Sequence, residues 1–271
     1  MTAAAVFGVL VFMSAVMAAG WAFVIRTRNA GWTDVFWTFG TGAAGVACAL
    51  IPLPGQIWPT ARQGLVAALV AIWAVRLGLY VALRVASHPE DARYGQLRED
   101  WGAAFDRRAF WFLQVQAPAT ALLSLSILLA ARRPFPETLR AADLAGLAIL
   151  AIAIAGESLA DRQMQAFKAD PQNKGRVCEA GLWGWSRHPN YFFEWLGWLA
   201  YPVIAIDLGG AYPQGWLALA GPAFMYLILT RLTGAPPLEA AMERSKGAAY
   251  RAYQARVSAF LPLPPRQRSP A

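Results

Sequence analysis

Hydrophobic residues along the 271-residue chain gather into seven runs, at about residues 3–25, 32–52, 64–83, 110–131, 141–161, 191–206 and 214–232. All but the sixth, which is short, are long enough as helices to cross the apolar core of a bilayer. Polar segments separate them, the longest at 84–109 and 162–189, and a polar tail follows from Arg231. The pattern predicts an all-α integral membrane protein: a seven-transmembrane helix bundle, one domain over residues 1–271. No internal repeat or low-complexity linker interrupts it. The first run is long and has no basic leader, so it reads as a span and not as a cleaved signal peptide.

Composition sharpens this picture. The chain is 57% hydrophobic with 12 Trp, a balance suited to a polytopic membrane protein. Its net charge of +8 could suit nucleic acid, but in a membrane protein the simpler partner is anionic lipid or an anionic cofactor. With the N-terminus outside, 19 of the 24 Lys and Arg fall in cytoplasmic segments, four (Arg62, Arg132, Arg133, Arg140) fall outside, and Arg76 lies within a span. The positive-inside rule then gives N-out and C-in. Cys48 sits in an apolar run and Cys178 in a polar loop, which is neither a disulfide framework nor a zinc site.

Ionisable residues at membrane depth are costly and normally face a bundle interior or a wet cavity. Asp34, Arg76, Glu157, Asp161 and Glu194 are the cases here. An Asp34–Arg76 ion pair is one structural explanation. Glu157 and Asp161, four apart, share a helical face.

Polar chemistry concentrates in Gly175–Glu194, GRVCEAGLWGWSRHPNYFFE. Pro189 suits the first turn of a helix, so Trp185–Pro189 reads as a turn and Asn190 as a helix start. Asn190 and Glu194 then lie on one face. A helix N-terminus beside arginines attracts anions. The alternative is an interfacial loop with snorkelling arginines. The segment HPEDARYGQLREDWG, with His88, Arg93, Tyr94, Arg98 and Trp101, is either a solvated face or a wall of a cofactor site. In the tail, Glu239, Glu243 and Lys246 have helical spacing and Tyr250 and Tyr253 are three apart. That suits an interfacial amphipathic helix or a lid over the site.

No phosphate-binding glycine loop, metal cluster or serine elbow occurs, and two histidines are too few for a metal centre. What remains is binding of a large polar, phosphorylated molecule by Lys168, Arg176, Arg187 and the helix start, beside a cavity that a lipophilic substrate enters from the bilayer. Hydride transfer from a nicotinamide and methyl transfer from a sulfonium cofactor both fit. A non-catalytic lipid-binding protein is a further alternative.

The runs AGLWGWSRHPNYFFEWLGW, RLGLY, EDARYGQLREDWG and YRAYQARVSAFLP together resemble a bacterial membrane family related to steroid 5α-reductases, over about residues 30–262. Isoprenylcysteine carboxyl methyltransferases carry a similar Arg-His-Pro-x-Tyr segment and Tyr-x-x-Tyr tail. The resemblance implies a seven-helix bundle in the bacterial inner membrane, with NADPH held by cytoplasmic loops, reducing the double bond of a steroid-like or other lipophilic enone. Asn190 and Glu194 match the family's Asn-x-x-x-Glu, Asp161 its cofactor-contacting aspartate and Arg176 an arginine. Lys168 replaces an arginine, keeping the charge without the bidentate fork. Glu157 stands where reductases have asparagine. Arg187, His188, Tyr191 and Tyr250 complete the expected cofactor set. The reductases' Gln-Glu pair is missing from GWTDVFWTFG, and Trp73 takes the place of their tyrosine. Asp34 and Tyr80 are therefore the nearest candidates for the catalytic groups.

Overall fold

The computed structural model describes residues 2–87, 92–134 and 138–266, with only the backbone described for 92–94, 96 and 97. Among the described residues, twelve α-helices are distinguished. They are α1 (Thr2–Thr27), α2 (Trp32–Ala49), α3 (Ala61–Ser87), α4 (Ala92–Trp101), α5 (Phe105–Gln114), α6 (Gln116–Ala131), α7 (Ala141–Ala169), α8 (Pro189–Trp198), α9 (Ala200–Ala205), α10 (Ala220–Leu227), α11 (Ala235–Lys246) and α12 (Ala248–Arg256). Among the described residues β-pairing is limited to an isolated bridge between Ser186 and Ser258.

Among the described residues, five helical stretches are long and apolar enough to cross a membrane: Thr2–Thr27, Ala61–Ser87, Arg98–Ala131, Ala141–Ala169 and Pro213–Lys246. The protein is an integral membrane protein of helical class. The sixth hydrophobic run is divided between α8 and α9, and the fourth between α5 and α6. Proline explains both breaks. A proline ring clashes with the carbonyl four residues earlier, and α5 ends at Gln114, four before Pro118, while α8 ends at Trp198, four before Pro202.

The chain divides into two compact units. The first comprises Met1–Leu147 and Ala200–Phe224. Its core joins Met13 and Met17 of α1, Ala44 and Cys48 of α2, and Leu113, Ala117, Ala121 and Leu128 of α5 and α6. Gly42 of α2 lies so close to Ala74 of α3 that a Cβ on it would collide with Ala74. Small residues of this kind let membrane helices approach closely without relying on a hydrophobic driving force.

The start of α3 carries a buried polar lock. Arg62 and Asp143 are both fully buried and paired twice, Nε to Oδ1 at 2.8 Å and Nη2 to Oδ2 at 2.9 Å. Arg62 Nη1 also donates to the Arg133 carbonyl at 2.8 Å, and the Arg140 amide donates to Asp143 Oδ2 at 2.8 Å. Beside it, Gln63 Nε2 donates to the Ala49 and Ile51 carbonyls at 3.0 and 2.8 Å, closing the loop between α2 and α3. Buried charge survives here because both partners and the surrounding carbonyls satisfy it.

The second unit comprises Ala148–Leu199 and Met225–Ala271. Its scaffold is the pair formed by the second part of α7 with α8. Gly156 lies against Phe193, and Gly197 lies against Leu150 and Ala153. These two contacts run in opposite senses along the chain, so the helices are antiparallel.

Candidate functional site

The second unit contains nine of the eleven residues expected to form the site: Asp161, Lys168, Arg176, Arg187, His188, Asn190, Tyr191, Glu194 and Tyr250. The antiparallel register accounts for much of the grouping. With Gly156 beside Phe193, Asp161 comes level with the first turn of α8, which carries Asn190. Asp161, Glu157 and Glu194 are all buried, at 6%, 6% and 8% exposure. Carboxylates so deep in an apolar helix pair need polar company, and Glu194 Oε1 accepts from the Trp198 indole at 2.9 Å.

The intervening loop is built by local turn chemistry. The Asp170 side chain accepts from the Gln172 amide at 2.9 Å and starts a turn with Pro171. Gly181, at φ +56, sits where a Cβ would run into Gln163, so only glycine suits both the backbone and the space. Gln163 Oε1 accepts from the Leu182 amide, and the Trp183 indole donates to the Ala160 carbonyl, both at 2.9 Å. The loop is thereby tied to α7, while Lys168, Lys174 and Arg176 remain exposed.

The SRHP turn docks on the tail. Ser186 Oγ donates to the Phe260 carbonyl at 2.8 Å, and the Arg187 amide donates to the Ser258 carbonyl at 2.8 Å. The Arg187 guanidinium grips Glu239 through Nε (2.7 Å) and Nη2 (3.2 Å), and its Nη1 donates to the Val257 and Gln254 carbonyls at 3.0 and 3.1 Å. His188 Nε2 is 3.0 Å from the same carboxylate, and its ring stacks on Tyr191 at 5.4 Å. A planar fork satisfied on every side is what arginine, and not lysine, supplies. Arg187 and His188 thus hold α11 and α12 to the turn.

Glu239 was not singled out as a site residue by its sequence pattern, which showed only a face shared with Glu243 and Lys246. A signal was available: Pro236 and Pro237 mark a helix start, and Glu239 follows directly after the opening turn of α11.

Tyr250 and Tyr253 are buried, with ring centres 5.8 Å apart. Tyr253 donates to the Trp183 carbonyl at 2.6 Å. Burial, helped by the Glu239 carboxylate, pushes the Tyr250 phenol up to about 12, and burial raises Tyr253 as well. Burial also raises the Cys178 thiol, which disfavours its thiolate form. The tyrosine shifts predict alkaline instability. Above about pH 10, the ordinary tyrosine value, the unfolded chain ionises while folded Tyr250 stays neutral, so stability falls as pH rises from 10 towards 12. In a melting-temperature series, the Tyr250→Phe/Tyr253→Phe double variant should show a flatter alkaline limb than the wild type.

Two expected site residues lie in the first unit. Asp34 opens α2, and Tyr80 of α3 packs against the Val35, Val81 and Val85 cluster, with the Arg76 and Arg84 guanidinium groups 5.5 and 6.0 Å from its ring. Of the segment considered as a cofactor wall, Arg98 lies 4.1 Å over the Phe105 ring and Trp101 packs against Phe105 and Phe112. His88 and the side chains of Arg93 and Tyr94 lie outside the described residues.

A family model described as "Protein of unknown function (DUF1295)" matches residues 20–257. The chain belongs to this family. DUF1295 is related to steroid 5α-reductase-like proteins. No curated protein and no solved structure matched the chain. The match begins within α1 and ends at Val257, the residue after α12. The DUF1295 region therefore includes the loop, the SRHP turn and the tail helices that Glu239 fastens to it.

Proposed function

We propose that the protein is an NADPH-dependent membrane reductase of a carbon–carbon double bond in a steroid-like or other lipophilic enone. It has seven spans, with the N-terminus outside and the cofactor loops in the cytoplasm. The observation that carries this reading is the pairing, within one unit, of buried carboxylates on an apolar helix pair with exposed bases on the loop joining the two helices. Kinship with steroid 5α-reductase-like proteins supports it.

The donor set suits the cofactor. Asp161, Asn190 and Glu194 offer the amide and carboxylate groups that bind ribose hydroxyls and a carboxamide, and Lys168 and Arg176 offer charge to phosphates. Arg187 and His188 serve differently from a direct phosphate clamp: they fix the tail that brings Tyr250 to the site. When bound, NADPH supplies a hydride for the enone β-carbon. The α-carbon takes a proton, so the double bond becomes a single bond. The substrate enters sideways from the bilayer, among membrane lipids.

A methyltransferase using S-adenosylmethionine is the second reading. The commitment of Arg187 to Glu239 favours it, since that leaves fewer bases for phosphates, and buried carboxylates suit a sulfonium. Enone-dependent oxidation of NADPH by the purified protein tests the first reading, and methyl transfer without such oxidation would replace it with the second. On the first reading, Arg176→Ala removes a charge-assisted bond and should weaken NADPH binding roughly ten- to a hundredfold. Glu194→Gln should weaken it while leaving the protein folded, as measured by affinity and melting temperature on the same preparations.

A further inference from the structure

Within the first unit, two apolar stretches meet where each gives way to arginine. Helix α1 carries no charged side chain before Arg26, and Arg28 follows at its end. The spanning stretch Arg98–Ala131 carries none after Arg108. The Trp21 indole donates to the Asp106 carbonyl at 2.8 Å, and its ring meets Phe110 edge-on at 5.5 Å. The end of α1 therefore stands beside the start of α5. Arg26 is about 7.5 Å along the helix from Trp21, and Arg107 and Arg108 directly follow Asp106. All four arginines are exposed, and none makes an ion pair among the described residues. Across residues 26–28 and 98–108 five arginines stand against three acids, Glu99, Asp100 and Asp106, so the joined ends are net basic. Arg28 is kept at a conformational cost. Among the described residues it is the one non-glycine with a positive φ, +52, where glycine is the unstrained choice. Residues four apart on a helix are neighbours, so Trp111 lies one turn below Arg107, Phe112 below Arg108 and Val115 below Trp111. These three apolar side chains are 65%, 38% and 66% exposed.

We propose that the joined ends of α1 and α5 form a binding site for an anionic phospholipid. Arg26, Arg28, Arg107 and Arg108 hold its headgroup, and Trp111, Phe112 and Val115 line its acyl chain. Guanidinium forks match phosphate oxygens. The excess of positive charge selects an anionic headgroup over a zwitterionic one, whose own cation the arginines repel. The exposed apolar shelf one turn deeper in a spanning stretch decides between lipid and a water-soluble phosphate, because only the lipid has a chain to lay along it. The site is independent of the reductase reading, since it needs neither a cofactor nor turnover.

The test is photo-crosslinking of the full chain in nanodiscs containing radiolabelled phosphatidylglycerol and phosphatidylcholine in equal amounts. The photoreactive residue p-benzoylphenylalanine replaces Val115, beside the site, or Ile72, which is exposed midway along α3 as a lipid-facing control. At Val115 the anionic lipid should be captured at least about fivefold over the zwitterionic one, the worth of a single base near a charged surface. At Ile72 the ratio should be close to one. Adding Arg107→Gln/Arg108→Gln to the Val115 probe should bring its ratio close to one, and Arg107→Lys/Arg108→Lys should retain the preference. Arg28→Gly should lower the ratio without lowering the melting temperature, because it removes charge and relieves the backbone. No preference at Val115, the same preference at Ile72, or a preference that survives Arg107→Gln/Arg108→Gln overturns the proposal. So does loss of capture in a large excess of inorganic phosphate, which would mark a free-phosphate site. Should Arg107→Gln/Arg108→Gln fail to fold, the contrast between Val115 and Ile72 and the effect of Arg28→Gly decide the matter.

Discussion

Replacing Glu239 by Ala should destabilise the protein by about 3 kcal/mol, the low end of the cost of removing one partner from a buried ion pair, because this pair is only partly buried. The carboxylate takes two bonds from Arg187 and one each from His188 and Gln254. Arg187 is 12% exposed, so without Glu239 it keeps two carbonyl partners but no counter-charge. Glu239→Gln, which preserves shape and one acceptor, should cost less. Glu243→Ala is the internal control. Its pair with Arg251 is 3.5 Å long and largely exposed, and its loss should matter by less than about 1 kcal/mol. Melting temperature in detergent measures the contrast, and proteolysis between α12 and the SRHP turn should accelerate only in the Glu239 variants. Equal effects at Glu239 and Glu243 would contradict the assignment of Glu239 as the link between turn and tail.

Arg62→Met should be comparably severe, at about 3–5 kcal/mol. It leaves Asp143 buried with the Arg140 amide as its close donor among the described residues and removes a bond to the Arg133 carbonyl. The double variant Arg62→Met/Asp143→Leu should recover much of the loss, because an apolar pair of similar volume is often as stable as a buried ion pair. Melting temperatures of the two single variants and the double variant give the coupling directly. Additive losses would show that the two side chains contribute independently.

The sequence revealed the helical class and membrane location through run length alone. It could not reveal where the runs would break. The interruptions before Pro118 and Pro202 follow from local sterics, but hydrophobic windows blur them. The helix start at Pro189 was legible, because proline in a first turn is a local signal. The partner of Arg187 was not. Glu239 is 52 residues away, and nothing in the spacing of either segment specifies that contact. For the same reason Asp143 drew no attention: in sequence it is a lone acid at the head of an apolar run, and only the fold brings Arg62 to it. Sequence also grouped Arg187 and His188 with Arg176 as bases free to meet a ligand. Folding separates them, leaving Arg176 exposed and directing the other two to the tail.

The most direct test of the reductase reading is a calorimetric titration of the purified wild-type protein in detergent with NADPH, NADH and S-adenosylmethionine. The account predicts saturable binding of NADPH with a matching rise in melting temperature, weaker binding of NADH and none of S-adenosylmethionine. Binding and stabilisation by S-adenosylmethionine with no response to NADPH would contradict it.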